Sequence, residues 1–102
     1  MVHHVVWWTL QDGVNGKSAK EAGDFLVKLG MEKMAGKIDA LLSLEITTDF
    51  AKTTTQDVQL LLHSTHKDEH ALAEYAGHPI HVEFGTELKK YATSRQAIDF
   101  IV

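Results

Sequence analysis

The sequence contains no cysteine. That excludes a disulfide framework, thiolate nucleophiles and zinc–thiolate centres, and it suits the reducing cytoplasm as the expected compartment. Apolar runs are short, far from the roughly 20 residues a membrane-spanning helix needs. The opening segment, MVHHVVWWTLQDG, has no basic leader and no extended apolar core, so neither a signal peptide nor a membrane span is expected there. A basic surplus is also missing. Ten Lys and Arg stand against 14 Asp and Glu, a formal charge of −4, whereas nucleic-acid binding normally needs a basic face. No repeat, low-complexity tract or linker divides the 102 residues. The expectation is one soluble domain spanning 1–102, with neither a nucleic-acid nor a membrane partner. A chain this small has a thin stability margin, and pairing with a second copy would widen it.

What is present alternates between strand and helix signals. Residues 2–10 (VHHVVWWTL) are β-branched and aromatic and end at Asp12-Gly13 and Asn15-Gly16, a strand followed by turns. Alternation puts His4, Val6, Trp8 and Leu10 on one face and His3, Val5, Trp7 and Thr9 on the other. Ser18 and Glu21 form a capping box that opens a helix over 19–35. Its expected buried stripe is Ala22, Phe25, Leu26, Leu29 and Met34, weakened by Gly23 and ended by Gly36. Residues 41–48 alternate, with Leu42, Leu44 and Ile46 facing one way. Residues 57–64 make a third strand, with Val58, Leu60 and Leu62 opposed to Leu61 and His63. Thr65 or Asp68 then caps a helix carrying Leu72 and Tyr75. After the only proline, Pro79, a second short helix carries Val82, Phe84, Leu88 and Tyr91, and RQAIDFIV closes the chain as a strand.

The order β-α-β-β-α-β, with the second helix broken at Pro79, predicts an α+β, ferredoxin-like subunit. Four antiparallel strands with helices on one face leave the other face uncovered. If Val5, Trp7, Leu61 and Ile101 lie on that open face, the simplest cover is a second copy of the same sheet. The expectation is a homodimer closed into a barrel.

Candidate site residues cluster at the Pro79 break. Tyr75, His78 and His81 stand in the run Tyr75-Ala76-Gly77-His78-Pro79-Ile80-His81. An imidazole near its ordinary pKa is suited to proton transfer, with a neighbouring phenol to polarise a carbonyl. The same histidines are equally suited to a structural task, capping backbone groups freed at the break. Tyr75 follows Leu72 by three and can be a core residue with one hydrogen bond. His4 shares a strand face with Val6 and Trp8, where a histidine can be either a packed core residue or a base. Seven histidines raise the question of a metal. His66 and His70 have the spacing that puts two imidazoles on one helix face, but no further ligand set accompanies them, so no metal site and no cofactor are expected.

Along its length the chain resembles the stress-responsive α/β-barrel (Dabb) domains. The opening MVHHVV with His4, the Ala73-Glu74-Tyr75-Ala76-Gly77-His78-Pro79-Ile80-His81 element and the closing Asp99-Phe100-Ile101-Val102 carry the resemblance. It implies a ferredoxin-like subunit, a homodimeric α/β barrel and a cavity between sheet and helices. Many members of that family have no assigned activity. One plant member is a polyketide cyclase of the olivetolic acid type, whose catalytic tyrosine and histidine match Tyr75 and His81, with His4 in the same cavity. The resemblance thus implies Tyr75, His81 and His4 as the catalytic candidates. Val6, Trp8, Phe25, Leu72, His78 and Val82 are the expected cavity lining. Trp8 replaces a smaller aliphatic and is positioned to fill the cavity, and His66 stands where an apolar aromatic is usual. Two functions compete: a stress-response barrel that binds a small apolar or phenolic ligand, and a cofactor-independent cyclase or lyase. A flavin-free monooxygenase has fold analogy alone behind it.

Overall fold

A computed structural model describes all of residues 1–102. Four strands, β1 (Val2–Leu10), β2 (Ser43–Thr47), β3 (Leu60–His66) and β4 (Ala92–Ile101), form one antiparallel sheet in the order β2-β3-β1-β4. Helices α1 (Ala19–Met34), α2 (Glu69–Gly77) and α3 (Pro79–Lys89) complete the ferredoxin-like arrangement. No helix is long and apolar enough to cross a membrane.

Local chemistry sets the element ends. The Ser18 hydroxyl accepts from Glu21 N at 3.1 Å, while Glu21 Oε1 accepts from Ser18 N at 3.0 Å, so α1 begins with a complete capping box. Asp68, not Thr65, caps α2 by accepting from Ala71 N at 2.8 Å. Thr65 is instead inside β3, which starts and ends later than its sequence pattern suggested. Pro79 occupies the first turn of α3, where its missing N–H loses nothing.

The buried face of α1 is Ala19, Ala22, Gly23, Leu26, Gly30 and Met34, with Phe25 and Leu29 only partly buried. Small residues dominate because the helix lies close to the sheet. A Cβ on Gly30 would collide with Ile46 Cδ1 and come within 3.0 Å of the Phe84 ring, and one on Gly23 would come within 2.8 Å of Thr48 Cγ2. Both glycines are therefore contact points, not weak places in the helix. On β2, Ile46 is buried but Leu42 is exposed, because β2 begins only at Ser43 and Leu41 turns inward in its stead.

The helix-side face of β1 is Val2, His4, Val6, Trp8 and Leu10, as alternation required. On β3 the same face runs Leu60, Leu62, Ser64, His66, with all four buried. The opposite face pairs Trp7 with Leu61 and Val5 with Ile98 across the strands. Ile101 is not on it. It pairs with Val2, which puts it on the helix side of the edge strand, and Ile98 and Phe100 take its place on the open face. That face therefore presents Val5, Trp7, Leu61, Ile98 and Phe100 with no helix over them.

Candidate functional site

The Pro79 break works as a pair of reciprocal caps. His78 Nδ1 accepts from Ile80 N at 3.1 Å and so caps α3. His81 Nδ1 donates to the Ala76 carbonyl at 3.0 Å, satisfying a free acceptor at the end of α2. The His81 ring is thereby fixed with Nε2 bare. The Asp99 carboxylate takes His4 Nδ1 at 2.5 Å, so His4 also turns a free Nε2 away from its partner. His4, Ser64 and Asp99 are cross-strand neighbours, aligned in a row across β3, β1 and β4.

Tyr75 sits over this row, 1% exposed, with three imidazoles around its ring. Its centroid is 4.5 Å from that of His81, 4.8 Å from His66 and 6.5 Å from His4. His66 is the last residue of β3 and is wholly buried: Nδ1 donates to the Ala40 carbonyl at 2.7 Å, and Nε2 accepts from the Ser64 hydroxyl at 2.8 Å. His66 and His70 therefore do not share a helix. His70 is exposed on α2 and pairs with Glu74. Tyr75 Oη is the one buried side-chain polar atom with no hydrogen-bond partner. Ser64 is its hydroxyl neighbour, and the Ser64 proton itself goes to His66.

Burial pushes the Tyr75 phenol up to about 12, against a smaller opposing effect of Ser64, so the hydroxyl stays protonated and is a donor in waiting. His81 is held below the ordinary imidazole value, first by burial and then by the charges of His4, Arg95 and His66, with the Ala76 carbonyl opposing. Burial likewise lowers His66 against the opposing Ala40 carbonyl. Near neutral pH both rings are neutral. The site thus offers a phenolic donor beside an imidazole with a free lone pair.

A cavity of about 500 Å³ opens in front of these groups, between α3 and the β1–β4 side of the sheet. His4, Tyr75, His81, Val6, Trp8 and Val82 line it, so six of the residues expected at the site converge. Trp8 is 5% exposed and forms floor without closing the space. Phe25, Leu72 and His78 do not line the cavity. Phe25 points to the far flank of α1, edge-on to Tyr91 and under the Lys17 ammonium. Leu72 packs against the core, and His78 is spent as a helix cap. Sequence reading did not find Thr86, Lys89, Thr93, Ser94 and Arg95, which also line it; the Thr93 and Ser94 hydroxyls are bonded to Thr9 Oγ1, and the Thr86 hydroxyl donates to the Val82 carbonyl. A bulge at the Thr9–Leu10 step of the β1–β4 ladder accommodates the extra residue Thr93. No motif announces it.

The chain matches the stress-responsive A/B barrel domain over residues 2–102. It belongs to that family. The Dabb fold is shared by a solved Arabidopsis thaliana protein, 27% identical, with a TM-score of 0.79 over 100% of this chain and 95% of that one. A dimeric protein of unknown function with a ferredoxin-like fold from Bacteroides fragilis is 24% identical, with a TM-score of 0.77 over 99% and 95%. A Dabb family protein from Mesorhizobium loti is 19% identical, again with a TM-score of 0.77 over 99% and 95%. No curated protein matches this Dabb chain.

Proposed function

We propose that this Dabb domain binds a small aromatic or apolar molecule carrying a carbonyl group, with the carbonyl oxygen accepting a hydrogen bond from Tyr75. The observations that carry this reading are the buried, unpartnered Tyr75 Oη and the place of Tyr75 among the residues lining an open cavity. A buried hydroxyl left unsatisfied has a penalty of about 1–3 kcal/mol, which a ligand acceptor would remove. Val6, Trp8, Leu62 and Phe84 supply the apolar wall for a ring. Such a role suits a non-catalytic, stress-response barrel in the cytoplasm. Acetophenone is a suitable probe. The reading expects calorimetrically measurable binding that falls at least tenfold in Tyr75→Phe, whereas equal binding by both proteins would overturn it.

A second reading is favoured by the bare Nε2 atoms of His81 and His4: a cofactor-independent cyclase or lyase. His81 Nε2 would take the α-proton of a β-keto substrate. The resulting carbanion would attack a second carbonyl to form the carbon–carbon bond, and Tyr75 would hydrogen-bond the alkoxide until it is reprotonated. Turnover of β-keto thioesters that is abolished in His81→Gln and Tyr75→Phe would establish it; turnover indifferent to both would exclude it.

Self-association is the third element of the proposal. The uncovered sheet face with Trp7, Leu61, Ile98 and Phe100 is apolar enough to seat a second copy. The dimeric state of structural relatives supports the same reading.

A further inference from the structure

The walls of the cavity carry an imbalance of charge. Among its 17 lining residues are Lys89 and Arg95 and no aspartate or glutamate, in a chain where acids outnumber bases by 14 to 10. Arg95 is the only arginine. It stands on the helix-side face of β4, opposite Trp8, and Lys89 ends α3 across the opening. Neither forms an ion pair, although Lys20, Lys33 and Lys90 each hold a carboxylate. The nearest acid on that face of β4 is Asp99, four residues along. Four residues of strand span about 13 Å, and Asp99 already holds His4. Thr86 lies beside the two cations, its hydroxyl donating to the Val82 carbonyl. Arg95 also acts on the other end, since its charge helps to lower His81.

We propose that Arg95 and Lys89 bind a carboxylate on the distal end of the ligand, so that the cavity takes an aryl ketone with a short acidic tail. This rests on the carbonyl-binding reading of Tyr75 and adds the second attachment point. Eight residues of α3 separate His81 from Lys89, about 12 Å along the helix axis, which sets the tail at a few methylenes. A carboxylate suits the place better than a phosphate. Thr86–Lys89 is the last turn of α3, where free carbonyls and not free N–H groups face outward, so the recognition falls to side chains. Two cations match the two oxygens of a carboxylate.

Three probes separate this inference from the reading beneath it: 5-oxo-5-phenylpentanoate, its primary amide, and acetophenone, each titrated calorimetrically while the His81 ring proton is followed by NMR. The expected result is that all three shift the His81 signal and that the carboxylate binds at least tenfold tighter than the amide. That advantage should vanish in Arg95→Gln/Lys89→Gln and weaken with added salt. Both side chains are exposed, so the double variant keeps its fold. Equal binding of carboxylate and amide, or an advantage that survives the double substitution, overturns the carboxylate site and leaves the Tyr75 reading standing. Failure of all three to bind overturns both.

Discussion

Tyr75 combines nearly complete burial with an unused hydroxyl, and its substitution separates function from stability. Tyr75→Phe removes an unsatisfied donor while keeping the ring packed among His4, His66 and His81. Its unfolding free energy should stay level or rise by up to about 1 kcal/mol, measured by denaturant titration at fixed protein concentration, while ketone binding is lost. His66 and His81 titrate below their unfolded value of about 6.5. The unfolded chain therefore binds more protons in this range. The stability they contribute is complete above pH 6.5 and is lost as pH falls through the folded values. Urea unfolding at pH 8, 7, 6 and 5 should show a decline beginning near 6.5, at a slope of up to about 1.4 kcal/mol per pH unit for each proton taken up. His66→Gln should flatten that slope. At this scale the site was half legible. Tyr75 and His81 stood out because they fall in one short motif, and His4 because alternation puts it on the strand face shared by Val6 and Trp8. Arg95 and Lys89 did not, because a cation on a strand and another at a helix end look like ordinary solvated surface until the fold brings them together.

The break between α2 and α3 and the close approach of α1 to the sheet belong to the scale of elements. His78 caps α3 without touching the cavity, so His78→Ala should lower stability by about 1 kcal/mol and leave ligand affinity unchanged. Gly30 faces Ile46 and Phe84 with no room for a methyl group, so Gly30→Ala should destabilise by about 1–3 kcal/mol in the same denaturant assay, against the gain expected for alanine in a helix. The capping box, the strand alternation of β1 and the Pro79 break were readable because each is a local rule. The tight α1 packing was not, since a glycine on a helix reads as a weakness until its neighbour is known. The shifted bounds of β3 have a similar cause. Thr65 and His66 read as the start of the following helix, yet their partners, the Ser43 hydroxyl and the Ala40 carbonyl, come from the segment around β2.

The molecule as a whole leaves one sheet face bare, carrying Trp7, Leu61, Ile98 and Phe100 away from all three helices. Pairing through that face predicts a particle of twice the 11.4 kDa chain mass and an unfolding midpoint that rises with protein concentration. Trp7→Glu should abolish both in light scattering and concentration-dependent melting, leaving a monomer. The ferredoxin-like topology was visible from the order of elements alone, and an open face follows from any four-stranded sheet with helices on one side. Which residues occupy it depended on the β1–β4 register, which sequence cannot give: the two-residue pleat puts Ile98 and Phe100 there and Ile101 opposite. The claim on which the functional account rests is a hydrogen bond from Tyr75 to a ligand carbonyl. The infrared stretching frequency of bound acetophenone, isotopically labelled at its carbonyl carbon, reports that bond directly. The account predicts a shift to lower frequency in the parent protein and a free-ketone value in Tyr75→Phe; a bound ketone with the same frequency in both would contradict it.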